Sequence, residues 1–257
     1  EIADRDWSSD VCSSDLESYE VVAPVRKGSG HAFARIERAE DIDLDYSTTF
    51  SSPKKYLLPA DEPLMRFDAR TNLVEDFVIE VEPRVIFGIH ACDINAINRL
   101  DLVFKDGRYP DPYYRARRVS TLVVGVSCMP DDTCFCRLWG TDEARFGYDL
   151  FLQDIGEKYL VSIASVEAAN ILEAACSPRE ATDEERVALR HATRRRQAAF
   201  NPDIPAIEDV SMLMDAFHKD PYWEELGGAC LSCTACSAVC PTPTRSEERR
   251  VGKECRS

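Results

Sequence analysis

Basic residues and long apolar runs are both scarce in this sequence. Its 31 Lys and Arg residues stand against 46 Asp and Glu residues, so the formal net charge is −15. Nucleic acids are bound through a basic surface that neutralises their phosphates, and this composition argues against such a partner. No apolar stretch approaches the roughly 20 residues of a membrane-spanning helix. We therefore expect neither nucleic acid nor a membrane as a partner.

The sequence also shows neither a secretory signal nor the cysteine spacing of a disulfide framework. Glu1, Asp4, Asp6 and Asp10 occupy the place where a signal peptide has basic residues. The 11 cysteines are closely clustered, which favours metal ligation in a reducing compartment over disulfides. We therefore expect a cytoplasmic protein.

The sequence lacks the common nucleotide-binding and catalytic motifs. It contains neither the G-x-G-x-x-G fingerprint nor a P-loop, and Gly28-Ser-Gly30 is only a turn. No Ser/His/Asp arrangement stands out, so no catalytic residue is predicted. A chain without its own nicotinamide site has to receive electrons from elsewhere.

One cysteine run is highly informative. Cys230, Cys233, Cys236 and Cys240 are followed by Pro241, which gives the ferredoxin-type pattern C-x2-C-x2-C-x3-C-P. Three thiolates at this spacing hold one iron–sulfur cluster, and the fourth typically binds a second cluster. Structural zinc prefers two C-x2-C pairs that are held apart. The run therefore predicts an iron–sulfur site, with zinc or free thiols as the alternatives.

A second set of cysteines follows two apolar segments. Arg84–Gly88 and Thr121–Val126 are predicted strands, and a thiol comes shortly after each. If the strands are parallel neighbours, these thiols lie at the carboxyl edge where α/β sheets bind ligands. The next loop adds two more thiols. The predicted metal ligands, in a cluster or around zinc, are Cys92, Cys128, Cys134 and Cys136. Inert buried thiols are the alternative.

Residues 17–165 are predicted to form an α/β domain, with α+β as the alternative class. A helix over Asp93–Leu102 separates the two strands and favours at least one parallel strand pair. A hairpin of Tyr148–Leu152 and Lys158–Ile163 turns at Gly156.

Residues 166–244 are predicted to be mainly helical and to lead into the ferredoxin-like iron–sulfur loop. Ser165 caps the first helix, and Thr182 with Glu185 forms a capping box before the second. Asp220 caps the last helix, which Gly227-Gly228 ends with positive φ angles. The predicted helices are Val166–Ala175, Arg186–Phe200, Ala206–Phe217 and a short one after Pro221.

Several other residues have a structural and a functional interpretation, and we favour the structural one in each case. Cys176 is a packing residue. His90 is a hydrogen-bonded structural histidine rather than a cluster donor, and Asp93 is a helix cap. The segment from Asp111 to Arg118 is a surface loop held by salt bridges rather than a flavin or subunit site. Arg194-Arg195-Arg196 is a solvated helix end rather than a partner patch.

Both ends of the sequence look foreign to the rest. Residues 1–16 and 245–257 show no apolar periodicity and resemble translated adapter sequence, so we exclude them from fold reasoning. The expectation is that the natural sequence is interrupted just after the cysteine run.

Several segments occur in an order that resembles a family of iron–sulfur subunits: the beta subunits of cytosolic sulfhydrogenases and the A subunit of anaerobic sulfite reductase. The resemblance covers roughly residues 50–243, and its most specific parts are the cysteine motifs. The segments are Gly88–Asp93, Leu100–Phe104, Asp111–Tyr114, Arg117-Arg118, Cys128, Cys134–Cys136, Gly147–Leu150 and Tyr222–Glu225.

The resemblance implies a [4Fe-4S] electron-transfer subunit of a cytosolic complex. Such subunits relay electrons between a flavin and NAD(P)-binding subunit and a catalytic subunit that carries siroheme or nickel–iron. Cys230, Cys233, Cys236 and Cys240 carry over as cluster ligands. The family has a second C-x2-C-x2-C-x3-C-P run that this sequence lacks, so the first cluster misses its fourth ligand here. The rival hypotheses are a zinc-stabilised binding scaffold, a labile-cluster redox sensor and an enzyme with its own flavin.

Overall fold

The computed structural model describes residues 2–4, 19–71, 73–75, 81–176, 178–201, 210–236 and 240. Nine strands occur within these ranges. They are β1 (Ile2–Asp4), β2 (Glu20–Lys27), β3 (Gly30–Arg35), β4 (Arg66–Asp68), β5 (Leu73–Glu75), β6 (Arg84–Ile89), β7 (Thr121–Val126), β8 (Leu150–Asp154) and β9 (Lys158–Ile163).

Seven of these strands form one sheet in the order β1-β9-β8-β7-β6-β2-β3, and β4 pairs with β5 separately. The neighbours β2, β6, β7 and β8 run parallel, whereas β3, β9 and β1 join antiparallel. The predicted mixed α/β core with a parallel pair is therefore confirmed. β1 lies within the segment that we excluded from fold reasoning, and its backbone pairs with β9.

Six α-helices accompany the sheet in the described ranges. They are α1 (Ala91–Leu100), α2 (Pro112–Val119), α3 (Val166–Ala175), α4 (Asp183–Ala198), α5 (Val210–Ala216) and α6 (Tyr222–Ala229). A π-helical turn over Asp101–Lys105 extends α1, and short 3-10 turns cover Pro53–Tyr56 and Cys136–Trp139. None of the helices seen in these ranges has the length and apolarity to cross a membrane.

The central strands are covered on both faces, which explains their unbroken apolar sequences. Every residue of β7 is buried. Along β6, Val85 and Phe87 face one core cluster, and Ile86 faces the other, because side chains alternate along a strand. Helix α3 packs on the first face, and α1 packs with Tyr114 of α2 on the second.

The predicted helix starts are confirmed where they depend on local hydrogen bonds. The Ser165 hydroxyl accepts a bond from the Ala168 N–H at 3.3 Å and caps α3. Thr182 and Glu185 form the full capping box of α4. The Asp220 carboxylate accepts a bond from the Tyr222 N–H at 2.9 Å at the start of α6.

Three local predictions were wrong. The segment after Asp111 is helix α2 rather than a loop, because Asp111 accepts bonds from two backbone N–H groups of the first turn and Pro112 fits there. Gly227 and Gly228 lie inside α6 and do not end it. The positive φ angles fall instead on Ser232 and Thr234.

The salt bridges predicted for the segment after Asp111 are present. Arg118 Nε donates to the buried Asp101 carboxylate at 3.2 Å, and the Tyr114 hydroxyl donates to the same carboxylate at 2.7 Å. Arg117 pairs with Glu62. These contacts bind α2 to the π-helical turn and the core. Of the predicted helix Ala206–Phe217, the described part is α5, and residues 202–209 lie outside the described ranges.

Candidate metal centre

Two of the upstream cysteines lie at the same edge of the sheet. β6 ends at Ile89, and Cys92 is the second residue of α1. β7 ends at Val126, and Cys128 follows after one residue. β6 and β7 are parallel neighbours, so their carboxyl ends meet at one edge. The predicted placement of these two residues is confirmed.

The loop after β7 folds back and brings two more sulfurs to this edge. The Asp131 carboxylate accepts bonds from the Thr133 N–H at 2.8 Å and the Thr133 hydroxyl at 2.6 Å. The Cys134 N–H donates to the Asp131 carbonyl at 3.1 Å. Cys136 then begins a 3-10 turn that Gly140 ends with a φ of 62°. The loop is therefore compact and held by its own hydrogen bonds.

The four sulfurs lie near enough to influence one another electrostatically. Cys92 is affected by Cys128 and Cys136, and Cys128 and Cys136 are both affected by Cys134. Burial, reinforced by neighbouring sulfurs, raises the pKa of Cys128 and of Cys136 to about 11. Burial also raises the pKa of Cys92 and Cys134. At neutral pH these thiols keep their protons unless a bound cation stabilises the thiolates.

The four thiols do not form a closed ligand set. Within the ranges that the structure describes, no group of three or more His, Cys, Asp or Glu side chains is arranged to hold a metal ion. The structure therefore brings the upstream set to one edge of the sheet without placing its sulfurs around a common centre. Metal binding by these residues stays a prediction.

A stacked pair of rings lies beside Cys92. The rings of Tyr46 and His90 are 3.9 Å apart and nearly parallel, and the Tyr46 hydroxyl donates to the Gly88 carbonyl at 2.7 Å. His90 is only 3% exposed, and burial lowers its pKa to about 4 against the opposing effect of a backbone hydrogen bond with Ser47. His90 is therefore neutral at pH 7, and its Nε2 has no hydrogen-bond partner among the described residues.

The prediction that Asp93 caps α1 is wrong. The helix already begins at Ala91, and its N-cap is His90, without a side-chain capping bond. Asp93 lies in the first turn and accepts a bond from the Ser52 hydroxyl at 2.7 Å. Burial raises the pKa of Asp93. Its partner lies 41 residues earlier, so no local pattern in the sequence indicates this contact.

Arg196 contradicts the prediction of a solvated helix end. Its side chain is buried, while Arg194 and Arg195 are exposed. Its Nη2 lies 3.5 Å from Glu143, and its charge lowers the pKa of Cys128, although burial has the larger, opposite effect. Sequence reasoning missed this residue. The available signal was helical spacing, because Arg196 follows the apolar Leu189 by seven residues on the same helix face.

The C-terminal cysteine run is far more exposed than the upstream set. Cys230, Cys233 and Cys236 are exposed, and Cys240 is partly buried. The Ser232 N–H donates to Cys230 Sγ at 3.4 Å. Residues 237–239 lie outside the described ranges, as does the Pro241 that completes the motif.

Two residues between these cysteines adopt a backbone conformation that side chains rarely take. Ser232 has a φ of 54°, and the β-branched Thr234 has a φ of 60°. Such left-handed residues cost free energy and cluster at ligand-binding sites. The loop therefore has the strained backbone that is typical of a binding loop.

A contact in the described part of the chain connects the two cysteine-bearing regions. Lys54 Nζ donates to the Cys240 carbonyl. Lys54 lies in the 3-10 turn that Ser52 caps, and Ser52 also contacts Asp93 beside Cys92. The end of the C-terminal run therefore lies near the turn that supports the upstream edge.

Cys176 has the packing role that was predicted. It follows α3, packs against the core cluster, and its Sγ donates to the Leu172 carbonyl at 3.3 Å. It does not belong to either cysteine set.

The donor atoms of both sets suit an iron–sulfur cluster or zinc. Thiolates are soft ligands that these centres prefer. The buried guanidinium of Arg196 next to the upstream set suits an anionic thiolate centre. The ligand type of both sets therefore suits such a group, but the sulfurs of the upstream set are not arranged around a common centre.

The chain is similar to a curated protein from Pyrococcus furiosus named sulfhydrogenase 2 subunit beta. The two are 33% identical over 226 residues, which cover 86% of this chain and 65% of the relative. The chain thus spans slightly less than two thirds of that protein's length. No protein-family model matches the chain. No solved structure matches it.

Proposed function

We propose that this chain is an iron–sulfur electron-transfer subunit of a cytosolic multi-subunit oxidoreductase of the sulfite reductase or sulfhydrogenase type. It would relay electrons between a flavin and NAD(P)-binding subunit and a catalytic subunit with siroheme or nickel–iron. The observation that carries the proposal is the C-x2-C-x2-C-x3-C-P run, with three exposed thiols on a strained loop.

Each cysteine set has its own place in this proposal. Cys230, Cys233 and Cys236 would hold one [4Fe-4S] cluster, and Cys240 contributes to a different cluster in ferredoxins with this motif. The upstream set (Cys92, Cys128, Cys134 and Cys136) would hold a second centre at the sheet edge. A bound cluster supplies a one-electron couple. The chain supplies the thiolates, the hydrogen bonds to sulfur and the burial that tune this couple.

Two findings support the proposal beyond the motif. The relative from P. furiosus is named as a subunit of a sulfhydrogenase, and the aligned region covers most of this chain. The contact of Lys54 with the Cys240 carbonyl brings the end of the C-terminal run toward the upstream edge. An electron-transfer subunit needs its redox groups near one another, and this contact fits that requirement.

Structural zinc is the second candidate, and the upstream set favours it. These thiols are partly buried and carry the soft ligand atoms that structural zinc takes. A zinc-stabilised scaffold without redox activity would use this set and leave the exposed C-terminal thiols unused.

Metal and sulfide analysis separates the two candidates. The whole chain is produced and purified without oxygen, and its iron, acid-labile sulfide and zinc are measured together with its visible absorbance. We expect about four irons and four sulfides for each cluster that is held. Electron paramagnetic resonance after reduction should show the signal of a reduced cluster.

Two variants assign the signal to the C-terminal run. We expect Cys233→Ser to remove one cluster's share of iron and sulfide. Cys176→Ser is the matched control, because this cysteine packs against the core, and it should keep both. A colourless chain with zinc near one per molecule and no sulfide would overturn the proposal in favour of the scaffold.

A further inference from the structure

Arg196 buries a positive charge with unused hydrogen-bonding capacity. It is 8% exposed, and arginine is rarely buried unless it is paired. Its Nη2 lies 3.5 Å from the carboxylate of Glu143, whose side chain is half-exposed. Among the residues that the structure describes, its Nε has no hydrogen-bond partner. A buried cationic donor without a full set of partners is what an anion-binding site provides.

A cavity lies beside this guanidinium, between α4 and the ends of two strands. Its volume is about 60 Å³. Leu189, Thr193 and Arg196 line it from one face of α4, because residues four and seven positions apart share a helix face. Ser127 and Asp154 line it from the ends of β7 and β8. These strands are parallel neighbours, so the cavity lies at the carboxyl edge where α/β sheets bind ligands.

The cavity has the size of a small oxyanion. A single water needs about 10–15 Å³ of such volume, so this cavity has room for about four or five water-sized atoms. Phosphate and sulfate, each a central atom within a tetrahedron of oxygens, have this size. The cavity therefore fits one such ion without any change in the fold.

The polar groups around the cavity include donors that suit an oxyanion. The planar guanidinium of Arg196 has a fork of N–H groups that matches two oxygens at once. Ser127 and Thr193 add hydroxyl groups. Ser127 Oγ accepts a bond from the Asp154 N–H at 3.0 Å, and a hydroxyl that accepts a bond can still donate its own proton. Arg195 also lines the cavity and adds a second positive charge from an exposed position.

A carboxylate on the cavity wall opposes the binding of an anion. It belongs to Asp154, whose Oδ1 accepts a bond from the Gly156 N–H at 2.8 Å in the turn between β8 and β9. In the described part of the chain, two guanidinium groups and this one carboxylate line the cavity. The charge around the cavity is therefore positive on balance, although the chain as a whole is acidic.

We propose that this cavity binds a tetrahedral oxyanion of the phosphate or sulfate class, with Arg196 as its principal ligand. The inference goes beyond the proposed function and does not depend on it, because the site uses no metal centre. A larger cavity of about 330 Å³ adjoins the first, shares Ser127 and Asp154 with it, and is also lined by Tyr46 and Tyr159. The same chemistry thus serves a free ion and the end group of an aromatic phosphate ester.

Equilibrium dialysis measures this binding directly. The whole chain is dialysed against radiolabelled phosphate or sulfate, with chloride keeping the ionic strength constant. We expect about one ion per chain with a dissociation constant of about 0.1–1 mM, which a ligand of this size can reach. No bound ion at about ten times that concentration would show that the cavity holds only water, and it would overturn the inference.

Variants of α4 test the role of Arg196. Arg196→Met should weaken binding at least about tenfold, because hydrogen bonds from a charged donor are lost. Arg196→Lys keeps the charge but not the planar fork, and it should recover only part of the affinity. Arg194→Met is the matched control, because it removes the same charge from an exposed position, and we expect a change of less than about twofold. Equal losses in the Arg196→Met and Arg194→Met variants would mean that ions bind to the general charge of the helix, and the site would be refuted.

Two further variants keep the test decisive if Arg196→Met does not fold. Asp154→Asn removes the opposing charge and keeps an acceptor for the Gly156 N–H, so it should tighten binding about threefold or more. Thr193→Val removes a hydroxyl from the cavity wall and should weaken binding about threefold. Unchanged binding in both variants would place the ion elsewhere and overturn the inference.

Phenyl phosphate distinguishes the two sources of the oxyanion. If it displaces labelled phosphate at least about tenfold more effectively than unlabelled phosphate does, and Tyr159→Leu removes this advantage, the site takes the end group of an aromatic ester. Equal displacement supports a free ion as the ligand. None of these measurements depends on iron or sulfide, so a failure here leaves the proposed function intact.

Discussion

The two cysteine sets of this chain are held in different ways. The upstream thiols are partly buried at the carboxyl edge of a parallel sheet, within reach of one another's charge. Cys230, Cys233 and Cys236 of the C-terminal run are exposed and follow one another along a single loop. The first set therefore depends on the fold of distant segments, whereas the second depends on spacing along the chain.

The two cysteine sets also differ in how tightly the surrounding side chains are packed. The sheet beneath the upstream set is packed on both faces by core clusters. By contrast, large apolar side chains of α5 and α6 are exposed, among them Leu213, Met214 and Leu226. We therefore expect loss of core packing to disturb the upstream site and to leave the C-terminal run unaffected.

The largest expected effect is on stability. Leu152→Ala truncates a fully buried side chain of β8 and should lower the free energy of unfolding by about 3 kcal/mol. Leu226→Ala truncates a half-exposed side chain of α6 and should change it by less than about 0.5 kcal/mol. Urea unfolding of both variants measures the difference. Similar losses in the two variants would contradict the contrast between the regions.

Thiol reactivity separates the sets directly. In the metal-free chain at pH 8, a thiol with a pKa of about 11 is roughly one thousandth thiolate, and only the thiolate reacts. We expect Cys128 to react with a maleimide at least about 100-fold more slowly than the exposed Cys233. Peptide mapping by mass spectrometry at timed intervals gives both rates. Equal rates would show that the upstream thiols are not protected by the sheet edge.

A smaller effect is expected from crowding the backbone near the upstream edge. Gly88 has a φ of 75°, and an added Cβ would lie 2.6 Å from Leu44 Cδ2. Gly88→Ala should therefore lower the free energy of unfolding by about 2 kcal/mol. Gly28→Ala is the control, because Gly28 has a φ of 62° with open space around it, and it should lose about 1 kcal/mol. Thermal unfolding of the two variants compares them, and a larger loss for Gly28→Ala would contradict the role of crowding.

The smallest effect concerns the helix that brings Arg196 to the site. A bond from Arg179 and the capping bond from Thr182 lower the pKa of Glu185 to about 2. The folded state thus binds this proton less readily than the unfolded state. The stabilisation is present above the ordinary pKa of 4.5 and is lost as the pH falls toward 2.

Glu185→Gln should flatten this part of the pH profile of stability. Glu184→Gln is the matched control, because it removes a charge from the same turn and leaves the capping box intact. Urea midpoints measured between pH 2 and pH 6 compare the variants. A profile of Glu185→Gln that keeps the full acid dependence would show that the capping box is not its source.

Local signals allowed much of the fold to be predicted. Thr121–Val126 was predicted as a strand and Val166–Ala175 as a helix, and the structure has both with the same bounds. In each case the signal lies within the segment: a β-branched apolar run for the strand, and the Ser165 cap for the helix. The same local reasoning misplaced the end of α6, because a glycine pair can also continue a helix.

The candidate site was predictable only in part, for the same reason. The parallel pairing of β6 with β7 follows from the alternation of strand and helix, and it placed Cys92 and Cys128 at one edge in advance. The Ser52–Asp93 bond and the Arg196–Glu143 contact were not predictable, because they join segments that are far apart in sequence.

The sequence by itself determined the spacing of Cys230, Cys233, Cys236 and Cys240, because ligands on one short loop need only local chain geometry. It also determined most strands and helices through periodicity and capping. Only the tertiary structure decided that Ser52 bonds to Asp93 beside Cys92 and that Arg196 is buried near Cys128. Strand pairing and helix packing bring together residues tens of positions apart, and no short window of sequence encodes such a contact.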